Sequence, residues 1–435
     1  MGYGNLGDAA TQDAIIENIR KRVPDADIVG FSLNPEDTRA RHNIVSYSIT
    51  HWHPRLEQSG PPSTSGTKTA YSKLKSLGKK IPFIPLIVRR GLNLLREVKH
   101  LVRTFKMLRS LDTLVIAGGG QLGDLWRGAW SHPYNVFKFS ALTKLANRKL
   151  IFLNVGAGPL SNSVSRFFAR CSVRLADYVS FRDRESLALI QQLGLKRAMV
   201  VFPDSVYALP IIQGDDPILT STSKPLVGIN PIGYCDPRIW AKKDQGRYVR
   251  YLKNLTTFCL WLLQQGYRLR IYPSELSVDL YACDDLKQQL FKTVPQAEVD
   301  GLFYPPTPDV NSLLAQMAQL DFVITSKFHG VIFSHLLAKP VVALSYHNKI
   351  DDLMRAAGHG QDCLNIETFD CERLKNTFLS VEERADGLKT LFRQRNLSNA
   401  QLLAAQFDGL FPSQNSEYGS ALLETSGSVV VGSSK

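Results

Sequence analysis

The sequence predicts an α/β protein with two domains, each built around a parallel β-sheet. The chain of 435 residues is too long for one ordinary hydrophobic core and fits two domains of about 200 residues. Short β-branched and aromatic runs alternate with helical spacing in both halves. Residues 211–225, rich in Gly, Asp, Ser, Thr and Pro, interrupt that alternation. We therefore predict an N-terminal α/β domain at 1–210, a linker at 211–225, a C-terminal α/β domain at 226–410 and a disordered tail at 411–435.

The chain begins with a glycine-rich motif, Gly2 to Asp8, followed by a helix to about Val23. The letters match G-x-G-x-x-G, but the dinucleotide-binding fingerprint needs a strand immediately before it. Because the chain begins at the motif, we expect either that the first strand is missing or that the glycines form a terminal turn with another role. Either expectation disfavours a nicotinamide cofactor, and the prediction is that there is no cofactor.

Residues 58–80 are rich in Ser, Thr, Gly, Pro and Lys and are predicted to be a mobile insertion. A helix is predicted to follow from about Arg89 to Ser110, with an apolar stripe and a basic stripe. Such a helix can lie on an anionic membrane, or it can be a surface helix whose basic side is solvated. Both interpretations stay open at this point.

Three predicted strands of the first domain end in residues suited to ligand binding. The strand 114–117 is followed by Gly118 to Asp124, and the strand 150–154 by Gly156 to Pro159. Glycines at strand ends allow a ligand to approach the backbone, so a sugar or a phosphate can enter here. Arg182 follows the strand 178–181 and is either an anion ligand or one half of a surface ion pair.

The second domain contains a strand, turn, helix, strand, turn, helix unit between Asp321 and Asp352. Both turns follow the carboxyl ends of parallel strands, where open α/β sheets bind ligands. Lys327 and His329 lie in the first turn, and His347 and Lys349 lie in the second. Two cations, two imidazoles and free N–H groups at a helix start suit a phosphate or a carboxylate. The alternative is an ordinary solvated lysine beside a capping or packing histidine.

Composition narrows the class of protein. The formal net charge of +13 suits an anionic partner, yet basic residues are not interleaved with aromatic ones, so no nucleic-acid partner is predicted. No apolar run is long enough to span a membrane and no signal segment is recognised, so the predicted location is cytoplasmic, with peripheral contact at the inner face of the membrane as an open alternative. The six cysteines lack metal-ligand spacing; they are predicted to be reduced, and no metal site is predicted.

Several motifs together resemble the polysaccharide pyruvyl transferase family, over most of the chain. They are G-Y-G-N-L-G-D at 2–8, the triple glycine at 118–120, G-A-G-P at 156–159, F-R-D-R-E-S at 181–186, P-D-S at 203–205 and S-K-F-H-G at 326–330, followed by Y-H-N-K. The resemblance implies a GT-B-like architecture, with two Rossmann-like domains facing across a cleft. It also implies transfer of the carboxyethylidene unit of phosphoenolpyruvate to two sugar hydroxyls as a cyclic ketal. The sequence departs from the family at Lys327, where arginine is commoner.

The resemblance assigns roles to individual residues. His329 is the predicted acid and base, because an imidazole can give and take a proton near neutral pH. The predicted phosphoenolpyruvate ligands are Ser326, Lys327, Phe328, Arg182, His347 and Lys349. The predicted contacts of the acceptor sugar, expected to be a lipid-linked or polysaccharide precursor, are Asn5, Asp8, Gly119, Gly120, Gln121, Gly156 and Gly158.

Two alternative functions remain open from the sequence. One is a GT-B glycosyltransferase with a nucleotide-sugar donor, in which the turn at Lys327 would hold the diphosphate. The other is a saccharide-binding member of the family that does not catalyse transfer.

Overall fold

A computed structural model describes residues 4–51, 84–124, 128–210, 224–240 and 242–412, with backbone only at 84–91 and 296–297. The predicted insertion at 58–80, most of the predicted linker and nearly all of the predicted tail lie outside the described residues. Gly2, which the sequence placed in the first motif, lies outside them as well.

The N-terminal half alternates helices with parallel strands. Its helices are α1 (Leu6–Arg22), α2 (Pro35–His42), α3 (Ile84–Arg109), α4 (His132–Leu145), α5 (Ser163–Leu175) and α6 (Arg184–Gln191). Its strands are β1 (Val29–Ser32), β2 (Val45–Ser48), β3 (Thr113–Ala117), β4 (Lys149–Val155), β5 (Tyr178–Phe181) and β6 (Val200–Val201). A 3₁₀ turn, Ser205–Ala208, ends this half.

The C-terminal half repeats the alternation. Its strands are β7 (Leu226–Asn230), β8 (Arg268–Ile271), β9 (Phe322–Thr325), β10 (Val341–Ser345) and β11 (Cys363–Asn365). Its helices are α7 (Gln245–Gln264), α8 (Asp279–Leu290), α9 (Gln296–Gly301), α10 (Val310–Ala318), α11 (Phe328–Leu336), α12 (Asn348–Ala356), α13 (Cys371–Glu383) and α14 (Ala385–Leu410). Strand β11, which pairs with β10, follows the unit predicted between Asp321 and Asp352 and was not predicted.

Every described strand pairing is parallel. One sheet has the order β3-β4-β5-β6, a second has the order β11-β10-β9-β7-β8, and β1 pairs with β2 separately. The central strands β4, β9 and β10 are buried along nearly their whole length, as expected for sheets covered by helices on both faces. This arrangement confirms the predicted α/β class.

Helices α1 and α14 each contact both halves of the chain. At the N-terminal end of α1, the Leu6 N–H donates to the Ser274 carbonyl. At the C-terminal end of α14, the Gln406 amide bonds Asn154 at 2.9 Å and contacts Tyr178. Because α1 and α14 each pack on both sides, the hydrophobic core around β9 and β10 also includes residues of the first half.

Candidate active site at the domain cleft

Two turns at the carboxyl ends of β9 and β10 form the second-domain wall of the candidate site. Lys327 is the residue before α11, and its backbone N–H donates to the Thr325 side chain at 3.1 Å. His347 precedes α12, and its Nδ1 accepts from the Lys349 N–H at 3.2 Å. His347 is therefore a helix cap. Burial, with Lys349 and Arg182 nearby, lowers its pKa.

Lys327 is held by two carboxylates. Its Nζ lies 2.7 Å from both Glu275 Oε2 and Asp279 Oδ1, and its side chain is only 13% exposed. Burial by itself would lower the pKa of Lys327, but Asp279 and Glu275 outweigh it and raise that pKa. Asp279 is fully buried and also accepts hydrogen bonds from the backbone of Ser274 and Glu275. Lys327 thus braces the turn against the 274–279 loop, and its charge is already balanced.

His329 is the second residue of α11 and faces the first domain. Its Nε2 is 3.9 Å from Asp204 Oδ2 and has no hydrogen-bond partner in the described part of the chain. Burial lowers the pKa of His329, and Asp204 opposes that shift. The other ring nitrogen faces Gly7, where a Cβ would lie 2.2 Å from Nδ1. The N-terminal glycine motif therefore packs on the candidate acid and base.

Arg182 approaches the same turn from the first domain. Its Nη1 donates to Asp204 at 3.0 Å, and its guanidinium lies 4.1 Å from the centre of the Phe328 ring. A Cβ on Gly156 would lie 2.9 Å from its Nε, which makes no hydrogen bond in the described structure but lies 3.7 Å from Asp183 Oδ2. Arg182 is therefore a buried cation held by two carboxylates, Asp204 and Asp183, and by an aromatic ring.

Lys349 faces Arg182 across the cleft. The one hydrogen bond that its Nζ makes in the described part of the chain goes to the Gly158 carbonyl, at 3.4 Å. Burial and then the nearby Arg182 lower the pKa of Lys349 to about 8. Asp183 and Glu185 partly oppose these shifts, but no carboxylate of the described residues lies within ion-pair distance of Nζ. A half-buried ammonium beside a guanidinium favours an incoming anion. Both cations line a cavity of about 730 Å³, together with Phe328 and Asp204.

Ser326, the other residue predicted to bind phosphoenolpyruvate, is more deeply buried than the lysines and the arginine. Ser326 is buried, and its hydroxyl is 3.5 Å from that of Tyr251. The structure gives Ser326 a packing position beneath the turn, while Phe328 is partly exposed and packs under Arg182.

The glycines predicted to contact the sugar lie where β3 and β4 end. The Gly156 N–H donates to Gly119, and the Gly158 N–H donates to Leu122, so these loops are tied together. A Cβ on Gly120 would meet open space. Gly119 and Gly158 have φ of +64° and +88°, the left-handed region that glycine tolerates best.

The polar residues predicted beside these glycines are partly engaged. The Gln121 amide donates to the Ala117 carbonyl at 3.0 Å, and its carbonyl is 3.0 Å from His132 Nε2. Asn5 caps α1 by accepting from the N–H groups of Gly7 and Asp8. The Asp8 side chain lies in the first turn of α1 and contributes to the electrostatics of His329 and His132.

Sequence reasoning gave no role to four residues of the site: Asp204, Glu275, Asp279 and His132. Asp204 stands in the P-D-S motif, so a signal was available for it. The other three carry no local signal, because Glu275 and Asp279 come about 50 residues before the lysine that they hold. Burial lowers the pKa of His132 to about 4. The described residues contain no cluster of three or more His, Cys, Asp or Glu placed to hold a metal ion.

Comparisons with known proteins identify the family and the fold of the chain. The family model Polysaccharide pyruvyl transferase matches residues 5–348. No curated protein matches the chain.

Two solved structures are similar over nearly the whole chain. A putative UDP-N-acetylglucosamine 2-epimerase from Listeria monocytogenes is 10% identical with a TM-score of 0.55, covering 93% of this chain and 94% of that one. HepE from Anabaena, in complex with UDP and glucose, is 15% identical with a TM-score of 0.52, covering 94% and 97%. At these identities the likeness concerns the fold alone, and it confirms the predicted GT-B-like arrangement of two Rossmann-like domains.

Proposed function

Because the chain belongs to the polysaccharide pyruvyl transferase family, we propose that it transfers the carboxyethylidene unit of phosphoenolpyruvate to two hydroxyls of a saccharide. The observation that carries this proposal is the arrangement of Arg182, Lys349 and His329 at one cleft. Arg182 and Lys349 can hold a phosphate and a carboxylate, and the Nε2 of His329 lies 3.9 Å from Asp204, the carboxylate that Arg182 also contacts.

The proposal assigns the anion sites differently from the sequence prediction. Lys327 is engaged by Glu275 and Asp279, so the donor is bound chiefly by Arg182 and Lys349. Phe328 keeps the guanidinium of Arg182 in place through the face of its ring. Lys327 contributes by fixing the turn that carries His329.

The proposed reaction begins with a proton transfer to carbon. The His329 imidazolium protonates the methylene carbon of phosphoenolpyruvate, and the oxygen of one saccharide hydroxyl bonds to C2. The proton of that hydroxyl returns to the imidazole. The oxygen of the second hydroxyl then bonds to C2 as the C2–O bond to phosphate breaks, and its proton leaves with the phosphate. The products are a cyclic pyruvate ketal and inorganic phosphate.

The electrostatics of His329 support its part in this sequence. Burial lowers the pKa of the unliganded imidazole, which leaves Nε2 able to accept a proton. A bound trianion beside the ring would raise that pKa, since an opposite charge favours the imidazolium. Asp204, 3.9 Å from Nε2, stabilises the same protonated form and is a positioning residue.

The acceptor is proposed to contact the first-domain loops around Gly120 and Gly158. These glycines lie on the cleft side of β3 and β4, and a side chain on Gly120 would meet only open space. The acceptor belongs to polysaccharide biosynthesis, in free or lipid-linked form, and neither a cofactor nor a metal is required.

The test is calorimetric binding of phosphoenolpyruvate to the wild type, Arg182→Gln, Lys349→Met and His329→Gln. We expect the first two variants to weaken binding at least tenfold, because each loses a charge-assisted hydrogen bond of about 1.5–3 kcal/mol. His329→Gln is expected to keep binding while phosphate release with a saccharide acceptor falls by roughly 10²–10⁴. Arg250→Gln, at an exposed position on α7, is the matched control.

Two results would replace the proposal. Binding of UDP-glucose without binding of phosphoenolpyruvate would establish the glycosyltransferase alternative. Binding of saccharide without either donor would establish a non-catalytic member of the family.

A further inference from the structure

Helix α3 exposes an apolar row to solvent. Leu94, Val98 and Val102 follow one another at four-residue spacing and are 66%, 47% and 52% exposed, and Leu95 beside them is 59% exposed. Scattered exposed aliphatic residues are ordinary, but four on one face of a helix are a continuous surface.

A basic row runs beside the apolar row. Arg96, Lys99, Arg103 and Lys106 are all exposed and follow the three- and four-residue spacing of one helix face. Arg109 extends it at the end of the helix. The opposite face of α3 is the one that packs on the domain, because Thr104 and Leu108 are buried.

The one carboxylate of α3 is turned inward and neutralised. Glu97 accepts a hydrogen bond from the Tyr134 hydroxyl at 2.9 Å and pairs with Lys138 at 3.1 Å. Lys138 is buried, so this pair belongs to the contact between α3 and α4. The outward face of α3 therefore carries positive charge without compensating acid on the same helix.

An aromatic residue stands next to this contact. Trp130 is 72% exposed, and its ring centre lies 5.8 Å from that of Tyr134, whose hydroxyl reaches Glu97. An exposed tryptophan beside basic and aliphatic side chains is the combination that favours the boundary between water and lipid.

We infer that the outward face of α3, with Trp130, is a docking surface for an anionic lipid bilayer. The apolar row enters the boundary between headgroups and acyl chains, and the basic row binds the headgroup phosphates. Within the described residues no helix is long and apolar enough to cross a membrane, so this contact would be peripheral. The inference is independent of the proposed reaction.

The chemistry of the face favours a bilayer over other occupants. A second copy packed face to face would bring two basic rows together, and like charges oppose each other there. A nucleic acid would meet the aliphatic row along most of this face, where stacking on aromatic side chains such as Trp130 is needed. An anionic bilayer complements both rows at once.

The experiment is co-sedimentation of the full chain with vesicles of phosphatidylcholine alone and of phosphatidylcholine mixed equally with phosphatidylglycerol. We expect binding to the anionic vesicles only, weakening as salt is raised. Lys99→Glu/Arg103→Glu/Lys106→Glu is expected to lower the partition constant roughly a hundredfold, since each basic residue near the surface contributes about fivefold (about 1 kcal/mol). Leu95→Ser/Val98→Ser/Val102→Ser is expected to lower it roughly tenfold or more and leave weak, salt-sensitive binding.

The control is a matched charge reversal in the second domain, Lys243→Glu/Arg250→Glu/Lys253→Glu, at three exposed positions on or just before α7. It changes the net charge equally and is expected to keep most of the binding. Thermal melting checks that each variant is folded. We expect all of them to fold, because substitutions at exposed positions usually change stability little.

Three results would overturn the inference. The first is equal binding to both kinds of vesicle or to neither, and the second is equal loss in the control. The third is evidence that the apolar row of α3 is already covered in solution by another part of the protein or by a second copy. Light scattering that shows a dimer broken by the serine variant would identify a second copy as the occupant. Vesicle binding only after deletion of residues 58–80 would identify that segment instead.

Discussion

Lys327 and Lys349 occupy similar places in sequence, each at the turn after a neighbouring parallel strand, yet the structure puts them in opposite electrostatic states. Lys327 contacts two carboxylates at 2.7 Å, and Lys349 donates only to a carbonyl at 3.4 Å in the described structure. The pKa of Lys327 is raised despite burial, because its acids outweigh desolvation, while burial lowers the pKa of Lys349 to about 8.

The difference separates a structural cation from one available to a ligand. A lysine that is already paired with carboxylates is stabilised little by a further anion. An unpaired lysine beside Arg182 is stabilised more, because the anion offsets both the repulsion from Arg182 and the cost of desolvating the ammonium. A motif that places lysines at two strand ends therefore does not by itself identify the ligand. The carboxylates around each lysine decide its role.

The largest expected effect is on the structural lysine. Lys327→Met removes the cation that lies 2.7 Å from the buried Asp279, which should lower the free energy of unfolding by about 3–5 kcal/mol. Urea denaturation measures this change, with Lys349→Met as the matched control. The variant Lys327→Met/Glu275→Gln/Asp279→Asn should recover much of the loss, since no buried charge is left alone. A loss under about 1 kcal/mol in the single variant would contradict the assignment.

The converse variant should affect binding instead of stability. Lys349→Met is expected to weaken phosphoenolpyruvate binding about 10- to 100-fold, the loss of one charge-assisted hydrogen bond. Its free energy of unfolding at pH 7 should be equal to or above that of the wild type, because an unpaired, half-buried ammonium is removed. Calorimetry and urea denaturation on the same preparation separate the two effects. Weakened folding with intact binding would exchange the roles of the two lysines.

A pH series sharpens the contrast. Lys349 is protonated below a pKa of about 8, so phosphoenolpyruvate affinity should fall as the pH rises through about 8. Lys349→Arg should keep its affinity over this range, because arginine stays protonated. The same decline in both proteins would assign the titration to another group.

The same shift predicts a stability difference of known sign. The folded-state pKa of Lys349 lies below the unfolded value of about 10.4, so the unfolded chain binds more protons between these values. The wild type should therefore gain stability relative to Lys349→Met as the pH rises from about 8 to about 10. Urea denaturation at the two ends of this window measures the change, and a fall in relative stability would contradict it.

The smallest expected effect concerns the ring that supports Arg182. Phe328→Leu keeps the apolar volume but removes the aromatic face 4.1 Å from the guanidinium, which should weaken phosphoenolpyruvate binding a few-fold, or about 0.5–1 kcal/mol. Phe291→Leu, beside Lys287 at 5.6 Å and away from the cleft, is the control. If calorimetry shows the same change in phosphoenolpyruvate affinity for both variants, Phe328 has no specific role in supporting Arg182.

The sequence predicted the strands and turns of the cleft closely. The predicted strand 178–181 matches β5, and the unit predicted between Asp321 and Asp352 contains β9 and β10. The turn at Ser326 to His329 lies beyond the carboxyl end of β9 as expected. These features follow from short apolar runs bounded by polar turns, which are local patterns. The strand β11 was missed because its three residues carry too short a pattern to be distinguished from the turns around it.

Contacts between distant segments were not predictable in the same way. The packing of Gly7 on His329 and the return of α14 to the first domain join residues hundreds of positions apart. No local periodicity specifies which helix end reaches which strand end. That His329 and Arg182 act in one active site stays a prediction from sequence motifs. The geometry of the cleft is chemically compatible with it.

By itself, the sequence determined the α/β class, the alternation of elements and the position of basic residues at strand ends, because these depend on spacing along the chain. Only the tertiary structure decided which of those basic residues are balanced. Glu275 and Asp279 approach Lys327 through folding of a separate loop, and no carboxylate within the described chain comes within ion-pair distance of Lys349. Coulomb interactions depend on distance in space and on burial, and neither quantity is set by neighbours in sequence.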